Sequence, residues 1–98
     1  MNAIRVGRLR RDRGISVARP TPLGNPFARA QYGRELAIQR FRDALPAILI
    51  DEPLARAQFD HIVAAARAGD VTLLCWCAPL PCHADVIADA VRAALRSP

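Results

Sequence analysis

The sequence predicts an α/β fold: a small sheet of about three strands covered by about three helices, within a single domain spanning residues 1–98. Three observations carry that expectation. The chain has 98 residues and is 52% hydrophobic, enough for one modest core. Two short segments near the N-terminus alternate apolar and polar residues, and residues 71–76 form an almost continuous apolar run. Three longer stretches repeat apolar residues at helical spacing.

Ile4, Val6 and Leu9, with arginines between them, read as a first strand. Asp12-Arg13-Gly14 is a turn signal, and Ile15 to Arg19 alternates again, so the pattern predicts a hairpin. The next eight residues, Pro20-Thr21-Pro22-Leu23-Gly24-Asn25-Pro26-Phe27, hold three prolines and a glycine and read as an ordered loop. Ala37, Ile38, Phe41, Ala44 and Leu45 place a helix over about residues 33–45, with Pro46 at its end. Asp51-Glu52-Pro53 is a helix start, because an acidic cap and an early proline both suit a first turn. Ala55, Phe59, Ile62, Val63 and Ala66 then form one face, and Gly69 ends that helix. The apolar run Val71-Thr72-Leu73-Leu74-Cys75-Trp76 suits a buried strand. Val86, Ile87, Ala90, Val91, Ala94 and Leu95 form the stripe of a last helix.

No apolar run approaches the roughly 20 residues of a membrane span, and no apolar segment follows the basic N-terminus as a secretion signal would require. Three cysteines cannot all pair within the chain. A reducing, cytoplasmic setting is therefore expected. The charge is lopsided. Residues 1–42 hold ten arginines against Asp12 and Glu35, whereas residues 43–98 hold four against seven acids. Lysine does not occur. Arginine's planar fork suits phosphate, so the N-terminal half is a candidate footprint for a nucleotide or nucleic acid. The run Arg8, Arg10, Arg11 and Arg13 also fits a solvated turn.

All three cysteines fall in Cys75-Trp76-Cys77-Ala78-Pro79-Leu80-Pro81-Cys82-His83, directly before one of the two histidines. The segment lies between the last strand and the last helix. That is the carboxyl end of a strand, where open α/β sheets gather ligands. Two chemistries fit it. Three thiolates and an imidazole, from Cys75, Cys77, Cys82 and His83, make a tetrahedral zinc set. Against this, the cysteines lack the usual C-x2-C spacing, and Cys82 and His83 are adjacent. Alternatively, Cys82 at a helix start is a candidate nucleophile, because the N-terminal field favours a thiolate. His83 is then its acid or base, and Asp85 either orients His83 or caps the helix. Plain packing of Cys75 is equally compatible with the sequence. Trp76 is a candidate pocket wall, and His61 reads as structural or exposed.

In the proline-rich loop, Arg19 is the candidate fork for a phosphate or carboxylate. Gly24 permits close backbone approach, and Asn25 reads a polar ligand edge or makes an Asx turn ahead of Pro26. The pairing of Gly24-Asn25-Pro26-Phe27 with C-W-C-A-P-L-P-C-H-A-D-V-I some fifty residues later resembles domain-of-unknown-function family 4326. That family comprises small bacterial and phage proteins with a G-N-P-F loop and a C-W-C-x-P-x-P-C-H-G-D box. The resemblance implies that Arg19, Gly24, Asn25, Cys75, Trp76, Cys77, Cys82, His83 and Asp85 occupy motif positions. Ala84 departs from the usual Gly, Ala18 from a common Gly, and Leu23 from a frequent aromatic. The resemblance brings no reaction with it.

The expected function is binding, with or without processing, of a phosphate-bearing small molecule such as a nucleotide at the Cys/His site. The alternatives are a zinc-stabilised module for nucleic acid or protein, or a phage accessory interaction protein whose cysteines only pack. No membrane partner is expected. The sequence names neither a reaction nor an oligomeric state. The nucleotide reading requires the proline-rich loop and the Cys/His segment to meet around one cavity.

Overall fold

The computed structural model describes residues 2–97. Its elements are β1 (Ile4–Arg8), β2 (Ile15–Ser16), α1 (Arg29–Tyr32), α2 (Arg34–Asp51), α3 (Pro53–Ala68), β3 (Val71–Cys75) and α4 (His83–Arg96). The three strands form one sheet in the order β1-β3-β2, and both pairings are parallel. The predicted hairpin is therefore corrected: β1 and β2 do not pair, and β3 lies between them. Local alternation marks a strand but carries nothing about its partner. Here the most apolar run, Val71-Thr72-Leu73-Leu74-Cys75, takes the central position, as its two-sided burial requires.

The parallel arrangement depends on a short crossing. Residues 9–14 leave β1 beside Cys75 and enter β2 beside Leu73, so the chain steps back only two positions along β3. Asp12 holds the turn by accepting from the Arg8 backbone N–H at 2.8 Å. Gly14 makes the crossing possible. A Cβ there would lie 2.2 Å from the Thr72 carbonyl oxygen, a distance no side chain tolerates.

Helices pack against the sheet. Phe41 and Leu45 of α2, Phe59 and Ile62 of α3, and Ile87 and Val91 of α4 meet Ile4, Val71, Leu73 and Cys75 in one buried cluster. Two helix boundaries differ from expectation. α2 runs through Pro46 to Asp51, because Ile48 and Leu49 pack on the core and offset the one hydrogen bond the proline removes. The single turn α1, with no buried residue, lacks the periodic signal that would reveal it. Pro53 opens α3 as expected, and α4 begins one residue after Cys82. No helix among the described residues is long and apolar enough to cross a membrane.

All three strands point their carboxyl ends to one edge. The ladder extends past the strands there: Val17 N–H donates to Leu74 at 3.0 Å and Leu9 N–H to Cys75 at 3.2 Å. This edge receives residues 17–28 on one side and residues 76–82 on the other.

Candidate functional site

The two segments singled out in the sequence meet at this edge. They enclose a cavity of about 220 Å³, lined by Arg19, Asn25 and Phe27 from the proline-rich loop and by Cys75, Trp76, Cys77, Cys82 and His83 from the Cys/His segment. Arg29 at the start of α1 and Arg34 at the start of α2 complete its rim, and Ala37 and Ile38 add apolar wall.

Cys75, the last residue of β3, and Cys82 are both buried. The two sulfurs and a ring nitrogen of His83 all lie within 4.8 Å of one another. Consecutive residues on a strand would face opposite ways. Cys82 and His83 instead straddle the junction from extended backbone to helix, which lets their side chains converge. Cys82 is the N-cap of α4. Its sulfur accepts from the Ala84 N–H at 3.3 Å, and the Asp85 carboxylate accepts from the Cys82 N–H at 2.9 Å. The pair is a capping box with sulfur in place of the usual hydroxyl. Asp85 is thus bonded to the backbone of the helix start, and this bond supports the capping alternative read from the sequence.

His83 is fixed from two sides. Its Nε2–H donates to the Val17 carbonyl at the end of β2, 2.6 Å away, and the ring lies edge-on to Phe41 with centroids 5.3 Å apart. A nitrogen that donates to a carbonyl carries the proton, so Nδ1 is the nitrogen left to accept one or to ligate. The two thiols titrate as a pair. Hydrogen bonding from Cys82, aided by the Cys77 N–H, outweighs burial and holds the Cys75 thiol well below its ordinary value. Proximity to Cys75, with burial, pushes the Cys82 thiol up. The pair therefore favours a single thiolate shared between Cys75 and Cys82, the sequence-based candidate. The cause is a shared proton between two close sulfurs, which spacing alone does not reveal.

Cys77 lines the cavity but lies outside the close cluster, so the expected four-donor set contracts to three. Strand geometry ends at Cys75, and the alternation that would bring Cys77 to the same face ends with it. Trp76 is 52% exposed and walls the cavity, and the Arg10 guanidinium lies over its ring, 5.5 Å from the centroid. His61 is exposed on α3.

In the loop, Arg19 lines the cavity while its Nε donates to the Asn25 carbonyl at 2.6 Å. The Asn25 side chain makes the Asx turn: Oδ1 accepts from the Phe27 N–H at 2.9 Å, and Nδ2 donates to the Ala37 carbonyl at 3.1 Å. Gly24 is not on the cavity wall. A Cβ there would lie 3.0 Å from the Arg19 backbone, so its close approach is to Arg19 and not to a ligand. Arg29 and Arg34 escape sequence reasoning because they sit on helix starts outside any motif. Their one signal is that they are the first arginines after Gly24-Asn25-Pro26-Phe27. Arg34 also donates to the Pro81 carbonyl at 3.1 Å, tying α2 to the Cys/His segment. Among the described residues, none of Arg19, Arg29 and Arg34 forms an ion pair.

The family described as "Domain of unknown function (DUF4326)" matches residues 4–93. The chain belongs to this family. Every residue lining the cavity falls inside the matched span, so the site lies within the DUF4326 domain. No curated protein and no solved structure matches the chain.

Proposed function

We propose that this cavity binds a phosphate-bearing small molecule, a nucleotide by class, with the Cys/His cluster at the end where any chemistry on it occurs. The observation that carries the reading is the convergence on a largely apolar cavity of Arg19, Arg29 and Arg34, none with a carboxylate partner among the described residues. Guanidinium groups without counterions attract an anion and grip phosphate in a planar fork. Phe27 and Trp76 supply flat aromatic surface for a base, and Ile38 adds apolar contact. Among the described residues, Cys75, Cys82 and His83 are the only titratable groups on the wall besides these arginines and Cys77.

Calorimetric titration of the purified protein with a panel of nucleoside mono-, di- and triphosphates tests the reading. At least one member should bind saturably, and the matching nucleoside without phosphate should bind at least tenfold more weakly. Equal affinity for the nucleoside, or no binding across the panel, contradicts it.

One further observation favours a second reading, single-stranded nucleic acid. Arg10 stacks on the half-exposed Trp76 at the mouth of the same cavity. An aromatic platform beside a basic loop is how single strands are held. Anisotropy titrations with a fluorescent oligonucleotide separate the readings. Binding that tightens with strand length and weakens steeply with salt favours the strand, and indifference to length favours the free nucleotide.

A further inference from the structure

We infer that Cys75, Cys82 and His83 form a three-donor site for a zinc-class divalent cation, whose fourth position opens into the cavity. The inference concerns the floor of the cavity and stands whether or not a nucleotide binds above it. Three observations carry it. First, two sulfurs and an imidazole nitrogen already lie within 4.8 Å of one another, a limit about 1 Å above the roughly 3.4–3.8 Å that zinc bond lengths set between tetrahedral donors, so small side-chain rotations bring all three onto one ion. Thiolate and imidazole donors suit zinc among the abundant divalent cations, whereas magnesium and calcium require oxygen.

Second, each donor is held from behind, as ligands of a metal centre are. His83 donates Nε2–H to the Val17 carbonyl, which fixes the tautomer that leaves Nδ1 for an ion. The Cys75 sulfur accepts from the Cys77 N–H at 3.3 Å, and the Cys82 sulfur from the Ala84 N–H at 3.3 Å. The three donors come from the end of β3, a helix N-cap and the first residue of α4, all rigid parts of the fold. Third, all three line the cavity, so an ion on them has one side toward its open space. A closed structural site takes a fourth protein ligand. Two Cys and one His with an open position is a donor set of catalytic zinc sites, in which water or substrate completes the tetrahedron. Cys77 also lines the cavity but falls outside the close set, and so is not assigned as a ligand.

The test uses the full chain. Elemental analysis of protein purified without chelator should give about one zinc per chain. After removal of zinc, titration with Co²⁺ should give sulfur-to-cobalt charge-transfer absorption and the visible bands of a tetrahedral ion, saturating near one equivalent. Cys77→Ser should behave as wild type. Cys82→Ser and His83→Gln should each weaken Co²⁺ binding at least tenfold. Where either variant is unfolded by circular dichroism, the wild-type and Cys77→Ser titrations decide. The inference is overturned if the folded wild-type protein holds no metal and shows no cobalt–thiolate absorption. Bands that vanish in Cys77→Ser, or survive unchanged in folded Cys82→Ser, overturn it equally. A nucleotide titration of the metal-free protein keeps the two proposals apart, since its result does not depend on the ion.

Discussion

Asn25 joins the proline-rich loop to α2, through Phe27 on one side and Ala37 on the other. Truncation to Ala leaves the Phe27 N–H and the Ala37 carbonyl without these partners in a partly buried place. Asn25→Ala should therefore cost about 1–3 kcal/mol, read from the denaturant midpoint. Asn25→Asp keeps the acceptor for Phe27 but loses the donor and sets a charge against the Ala37 carbonyl, so it should recover little. Cys82 and His83 combine structural and site roles, since one caps α4 and the other holds the end of β2. Loss of binding in their variants thus mixes folding with chemistry. Arg29 is cleaner: it lines the cavity, is exposed, and lies on a turn with no buried residue. Arg29→Ala should leave the denaturation midpoint unchanged and weaken phosphate-ligand binding by roughly tenfold, the loss expected for one charge-assisted contact.

At the scale of elements, the sheet depends on the crossing between β1 and β2. Gly14→Ala drives a methyl into the Thr72 carbonyl and should destabilise the chain by about 1–3 kcal/mol, with the loss visible in thermal unfolding. In the core, Ile87 of α4 is fully buried, and Ile87→Ala should cost about 2–5 kcal/mol in the same assay. These elements were unequally legible in the sequence. α3, β3 and α4 carry strong periodic patterns and sharp ends at Pro53, Gly69 and the Cys82 cap, and they appear where expected. The hairpin failed because a two-residue strand has no pattern that selects its neighbour. Pairing was decided by the burial of β3, a property of the whole sheet. Pro46 misplaced the end of α2 for a similar reason: a local helix-breaking signal was overridden by Ile48 and Leu49 on the core.

At the scale of the molecule, the site is built from pieces far apart in the chain. Arg19 and Asn25 come from one loop, Arg29 and Arg34 from helix starts, and Cys75, Cys82 and His83 from the last strand and helix. The parallel sheet brings them together, because it turns every strand's carboxyl end to one edge. That edge was legible in advance through the Cys/His segment and the proline-rich loop. The rim arginines and the coupling of the two thiols were not, since both depend on distances that only the folded chain sets. The charge asymmetry acquires a place as well. Arg10, Arg19, Arg29 and Arg34, all from the basic N-terminal half, stand over or around the Cys/His segment.

Trp76 is the chain's single tryptophan and lies on the cavity wall, so its fluorescence reports directly on occupancy. The most direct measurement is the emission of Trp76 during titration with the nucleoside phosphates, in the wild-type protein and in the Arg19→Ala/Arg29→Ala double variant. A saturable change in the wild type that disappears in the folded double variant is the predicted result. An emission that no phosphate-bearing ligand alters, or that responds identically in both proteins, would contradict a phosphate-binding cavity at this edge of the sheet.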